Sequence, residues 1–305
     1  MSQSQRLLLI APTTMNRTPA FDRAAALALA MHVPLHIVAF DYSQALAVAG
    51  LFAPEQFARA RDGYLQTHGR WLADQAALMS KHGVEVTSEV LWVQHPYEEV
   101  LAFINEMPLT LIIKDAHEES AFKRVFFTAL DWQLLRDCPV PVHLVTTALN
   151  ARPRNVLAII DVLRDEDPGF NDRIIDAAAK LAALCGASLE LLHVYDWTAV
   201  YVQDMGLGAL PLATGIYEAL GATQREAFAA IAERHGVPPQ RRHFKEGAPV
   251  PCMCDFVSQN NTDVIVMGTV QHKGLSKLLG TTAEQLLHRA PCSVLAIKPE
   301  SGLTA

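Results

Sequence analysis

The residues best suited to chemistry lie in the last third of the chain. Asp263-Val-Ile-Val-Met267-Gly268-Thr269 is an apolar run that ends on a glycine. His272-Lys273-Gly274 follows, and Gly280-Thr281-Thr282 opens a helical pattern. Glycines let a phosphate approach the backbone closely, and the free N–H groups at a helix start attract it. His272 and Lys273 would add positive charge. The chemistry implied is anion binding.

Other constellations point to less. The chain has no Gly-x-Ser-x-Gly elbow and no Gly-Lys-Ser/Thr phosphate loop, so no catalytic residue is assigned. Gly206-Leu-Gly208 begins a dinucleotide fingerprint, but Pro211 takes the place of its third glycine. Cys252 and Cys254 are two apart at a helix start with no adjacent histidine. They read as buried structural cysteines, and no metal site is expected. His32 and His36 flank Pro34 and read as surface or loop residues. Asp165 and Asp167 lie in an acidic loop, as solvated charges, and Asp131 and Trp132 read as cap or packing residues.

The elements that would position the glycines are written twice. Lys81-His-Gly-Val84 returns as Arg234-His-Gly-Val237, and Leu111-Ile-Ile113 returns as Val264-Ile-Val266, both 153 positions on. Cys138-Pro-Val-Pro-Val142 returns as Ala290-Pro-Cys-Ser-Val294 at almost the same shift. A constant offset over so much chain marks a duplication. Strands are expected at Leu7–Ile10, Leu35–Phe40, Val86–Val93, Leu111–Ile113 and Val142–Val145. In the second half they are expected at Val156–Ile160, Leu189–Val194, Arg242–Phe244, Val264–Val266 and Ser293–Ile297. Their near-continuous apolar character suits parallel strands buried on both faces. Helical spacing lies between them, as in Phe57, Tyr64, Leu65, His68, Trp71 and Leu72. The fold class is therefore α/β, with domains at 1–150 and 151–305 joined at Ala151-Arg-Pro-Arg154.

Composition limits the partners. A net charge of -7 with no basic stripe argues against direct nucleic-acid binding. No apolar run is long enough for a membrane span. The polar start, Met1 to Arg6, lacks a signal-peptide core, and the five cysteines show no disulfide framework. Both features fit a reducing cytoplasm.

At this point the sequence resembles the universal stress protein family, in its tandem, E-like branch. The resemblance rests on the strand–helix order of each half, on Met267-Gly-Thr269, on Gly280-Thr281 and on the closing Ala290-Pro-Cys-Ser-Val-Leu-Ala-Ile-Lys298. It implies two tandem flavodoxin-like, adenine nucleotide alpha hydrolase-like domains. Each is a five-stranded parallel sheet, and the two are arranged as an intramolecular pseudo-dimer. In the nucleotide-binding branch ATP lies at Gly, two residues, Gly, nine residues, Gly-Ser/Thr, with an aspartate after the first strand. Asp161, Gly268, Gly280 and Thr281 match this pattern. Gln271 replaces the second glycine, and the following spacer is one residue short. The resemblance thus assigns a degenerate ATP-type site to Asp161, Met267, Gly268, His272, Lys273, Gly280, Thr281 and Thr282. It implies a stress-response protein that acts by binding rather than turnover.

The first half departs further. Ala11-Pro12 replaces the aspartate, and Asp115, Glu118 and Glu119 stand where the glycine turn was. Thr128 replaces Gly280. Three carboxylates are expected to close that cleft to phosphate. Two apolar segments, 45–52 and 200–211, follow the second strands and read either as packing or as lids over an amphiphile. The alternatives to nucleotide binding are thus an apolar or amphiphilic ligand, or an interaction scaffold that pairs as a homodimer.

Overall fold

The computed structural model describes residues 5–119, 124–146, 150–163, 169–196, 214–269, 281–289 and 292–299. The chain divides into two compact units. Unit 1 is Met1–His117 with Phe127–Arg152, and unit 2 is Glu118–Phe126 with Pro153–Ala305.

In unit 1 the main sheet contains β1 (Arg6–Ala11), β2 (Leu35–Asp41), β3 (Val86–Trp92), β4 (Leu109–Asp115) and β7 (Val142–Val145). Its order is β7-β4-β1-β2-β3, and every neighbouring pair is parallel. In unit 2 it contains β8 (Asn155–Ile159), β9 (Ser188–Tyr195), β10 (Arg242–Glu246), β11 (Val264–Gly268) and β12 (Ser293–Ile297). Its order is β12-β11-β8-β9-β10, again parallel throughout. Two short strands, β5 (His117–Glu119) and β6 (Arg124–Phe126), form a separate small sheet that the sequence reading lacked.

Parallel strands need crossovers, and here they are helices: α1 (Pro19–Met31), α2 (Gln44–Gly50), α3 (Pro54–Ser80), α4 (Pro96–Glu106) and α5 (Ala129–Asp137) come first. They are followed by α6 (Phe170–Cys185), α7 (Thr214–Arg234), α8 (Pro249–Gln259) and α9 (Thr281–Arg289). Proline opens α1, α3, α4 and α8, where its missing N–H costs no helical bond. The repeated His-Gly-Val has a structural reason. Gly83 and Gly236 take φ of +89° and +65° just after α3 and α7, a conformation that suits a residue without Cβ. Val84 and Val237 then turn back into the core, the latter donating its N–H to the Ala232 carbonyl at 2.9 Å.

Both cores are layered as expected for strands covered on two faces. All of β2 is buried. Leu7, Leu8 and Leu9 are buried, as are Phe21, Leu27 and Leu72 of the helices, and in unit 2 Leu157 and Val264–Val266 are buried, as are Phe170, Ile174 and Ile175. One expectation is corrected. His36 is not a surface residue: it sits within β2, 6% exposed, because its ring bonds Thr87 Oγ1 at 2.8 Å and Glu89 at 2.9 Å on β3. His32 does lie at the surface, as the left-handed C-cap of α1.

Burial holds the His36 imidazole below its ordinary value of 6.5, against the opposing pull of Glu89. Above that pH the ring is neutral in folded and unfolded chains alike. Below it the unfolded chain takes up a proton that the folded chain resists, so stability falls as pH falls. Asp172 acts in the same direction only at lower pH, below its ordinary value of 3.8, outside the window from pH 7 to pH 5. Burial alone would raise its carboxyl, but hydrogen bonds from His235 and Arg234 and their charge outweigh it and hold it low. The thermal unfolding midpoint is expected to drop from pH 7 to pH 5, and less so in His36→Gln, which keeps hydrogen-bonding groups but does not titrate. Equal drops in both proteins would refute this.

Candidate functional site

In unit 2 the register brings two of the sequence-assigned residues together. Met267 pairs with Ile159, so Gly268 and Asp161 emerge beside each other at the carboxyl ends of β11 and β8. Asp161 is exposed, and its Oδ1 accepts the Leu163 N–H at 3.1 Å. Its backbone is clamped by Asn171 near the start of α6: Asn171 Nδ2 donates to the Asp161 carbonyl at 2.8 Å, and Asn171 Oδ1 accepts the Asp161 N–H at 3.3 Å. This clamp fixes the strand end without using the second carboxylate oxygen.

Gly268 has a packing reason beside the one inferred from spacing. A Cβ there would lie 2.4 Å from the Phe170 ring and 3.1 Å from Ile174. Phe170 is fully buried, and the Arg173 guanidinium lies 5.4 Å from the centre of its ring. The missing side chain is therefore demanded by packing of α6 on β11. Met267 is buried and Thr282 is exposed on the first turn of α9. His272, Lys273 and Gly280 lie outside the described residues, as does the Thr281 side chain. So do the acidic loop 164–167 and the apolar segment 200–211.

Unit 1 solves the equivalent position by internal pairing. Thr128 caps α5: its N–H and hydroxyl both donate to Asp131 Oδ2, at 2.6 and 2.9 Å, and the Asp131 N–H returns a bond to Thr128 Oγ1. The other Asp131 oxygen pairs with Lys114 Nζ at 2.8 Å. Asp131 is wholly buried and the Lys114 side chain is 10% exposed. A carboxylate of the chain thus sits where a helix start would otherwise receive an anion, and Lys114, at the end of β4, neutralises it. Of the expected acidic wall, Asp115 closes β4 and is buried, the backbone of Glu118 and Glu119 forms β5, and the side chains of these two lie outside the described residues.

Several remaining expectations are revised. Cys252 and Cys254 do lie on α8, whose start is at Pro249, but both are half-buried rather than buried. Burial raises the Cys254 thiol above its usual value. The first apolar segment is a formed helix, α2, that buries none of its side chains. Sequence reasoning missed Lys114 and, elsewhere in unit 1, Asp41 and His68. The signal for Lys114 was a lysine closing an otherwise apolar strand. Among the described residues no cluster suits a metal ion, and no helix is long and apolar enough to cross a membrane.

The universal stress protein family model matches residues 10–146 and again 154–298. The chain belongs to the universal stress protein family. It carries two such domains in tandem. It is 25% identical over 309 residues to Universal stress protein E of Escherichia coli, a match covering 98% of this chain and 96% of that one. Universal stress protein A homolog 1 of Coxiella burnetii is 32% identical over 144 residues, 47% of this chain and 95% of its own length. Among solved structures, a family protein of Pseudomonas aeruginosa superposes with a TM-score of 0.73 at 24% identity, covering 98% of this chain and 94% of its own. One from Archaeoglobus fulgidus does so with 0.64 at 16%, covering 98% and 100%. At these identities the solved structures speak to the fold alone.

Two substitutions test the contrast between the domains. Lys114→Met leaves Asp131 buried without its counter-ion and is expected to cost about 3–5 kcal/mol in urea unfolding. Adding Asp131→Ala should recover part of that loss, and strict additivity of the two would refute the pairing. Gly268→Ala overpacks the Phe170 ring and is expected to cost about 1–3 kcal/mol. Phe170→Leu in the same chain should reduce the penalty, and a Gly268→Ala protein as stable as wild type would sink the packing account.

Proposed function

We propose that this protein is a cytosolic stress-response binding protein that turns nothing over, with an adenine-nucleotide site in its second domain. One observation carries the reading: the two domains treat the same position differently. In the first, Lys114 and Asp131 satisfy each other at the start of α5. In the second, the residue 153 positions after Lys114 is Met267, which cannot neutralise a carboxylate, and Asp161 stays exposed at the neighbouring strand end. The first domain pairs its own anion with a lysine at the strand end, whereas the second has Met267 at that strand position and Glu284 in the first turn of α9. On this reading Asp161 holds the ribose or base, and the backbone of Gly268, Gly280 and Thr281 holds phosphate with Thr282 beside it. His272 and Lys273 offset charge, and Mg²⁺ screens the acidic loop 164–167.

A second reading, for the first domain, has its own support. Val48, Leu51 and Phe52 are 50%, 79% and 87% exposed on and just after α2, at the carboxyl edge where open α/β sheets bind ligands. An apolar or amphiphilic ligand would cover them.

Isothermal titration with Mg-ATP is expected to show saturable heat in the wild type and none in Gly280→Glu, whose carboxylate would occupy the phosphate position. A wild-type protein silent at millimolar Mg-ATP refutes the nucleotide reading.

A further inference from the structure

A second polar constellation lies at the carboxyl edge of the first domain, across β1 from Lys114. Asp41 closes β2, and His68 reaches it from the middle of α3, with Nδ1 2.6 Å from Asp41 Oδ2. Both side chains are essentially sealed from solvent, 1% and 0% exposed. With Nδ1–H directed at the carboxylate, Nε2 carries a lone pair. Neither His68 Nε2 nor Asp41 Oδ1 has a hydrogen-bond partner among the described residues. A buried polar atom left without a partner loses its solvation with no return, so two in one constellation require a reason.

The surroundings are aromatic. The ring centres of Tyr64 and Trp71 lie 6.2 and 5.7 Å from His68. Tyr42, Phe57 and Tyr64 all meet Trp92, at 6.0, 6.2 and 6.3 Å. Burial and the Asp41 charge both raise the Tyr64 phenol, so the negative potential of the pair reaches its rim. Gly50 of α2, a helix with no buried side chain, packs against Phe57, and the buried residues of α3 begin only at His68. An unpartnered carboxylate oxygen, one negative charge and several ring faces fit a nitrogen donor that carries positive charge.

We propose that this constellation binds a primary alkylammonium ion. Its N–H group donates to Asp41 Oδ1, and its charge offsets the carboxylate. Its chain runs under Val48, Leu51 and Phe52. Entry displaces α2, which gives up no buried side chain in moving. The inference rests on the second reading above and names the head group that face would take.

The test titrates the full-length protein with n-hexylammonium and with 1-hexanol at pH 7, by calorimetry and tryptophan fluorescence. Hexylammonium is expected to bind saturably and about tenfold or more tighter than hexanol. Asp41→Asn, with folding checked by thermal unfolding, should remove that preference. Phe52→Lys alters an exposed position and should weaken hexylammonium alone, by placing a cation at the mouth. Equal binding of both probes, unchanged in Asp41→Asn, would overturn the ammonium site while leaving the apolar reading intact. Binding of neither probe would overturn both, and ammonium binding insensitive to both substitutions would place it elsewhere and overturn the proposal.

Discussion

A parallel strand covered on both faces has almost no place for a polar side chain except its end. Every residue of β2 is buried, and β8 and β11 are apolar almost to their last positions. Water cannot solvate a charge set within such a layer, so the charge must be paired or moved to the edge. That constraint explains why the polar groups of both domains collect where strands give way to helices. Asp41, Lys114 and Asp115 lie at or next to the ends of β2 and β4, and Asp161 lies just past β8. His36, His143 and His193 are buried deeper within strands, and each is partnered: His36 by Thr87 and Glu89, His143 by Arg23, and His193 by the Ile160 carbonyl and Gln224.

Duplication gave one edge two electrostatic solutions. A helix start offers unpaired N–H groups and a positive dipole end, so it takes an anion from somewhere. In the first domain the anion is Asp131, already in the chain and already balanced by Lys114. In the second, Glu284 lies in the first turn of α9, but the strand residue corresponding to Lys114 is the thioether of Met267. One substitution of a cation by an apolar side chain therefore separates a self-satisfied terminus from one with no buried counter-charge at that strand position.

The periodic features were legible in the sequence because they follow from repeating physical requirements. The ten main strands fall where apolar runs did, with their ends moved by one or two residues, since hydrophobicity reports burial and not where pairing stops. The His-Gly-Val repeat was visible as a repeat but gained its meaning only from the positive φ of Gly83 and Gly236. What sequence hid was pairing at a distance. Asp41 and His68 are 27 residues apart, and His68 was read correctly as part of the buried face of α3 but not as a partner of a carboxylate. Gly268 shows the same limit from the other side. A glycine after a strand satisfies a phosphate motif and a packing motif alike, and the packing demand became visible only through the Phe170 ring, 2.4 Å from its absent Cβ.

On the proposed reading, the closure of the first domain to phosphate would be thermodynamic rather than steric. A free phosphate competing for the start of α5 would have to displace a carboxylate that is tethered three residues from its own cap and so pays no cost of association. It would also leave Asp131 buried beside the incoming anion, with a single lysine to balance both. Like charges in such a site repel more strongly than in water, because the surrounding side chains are apolar and exclude solvent. The expected acidic wall would have repelled phosphate at a distance, through exposed charges that salt screens. An internal ion pair acts at contact and is screened far less, so the first domain should remain closed to phosphate at any ionic strength the fold tolerates.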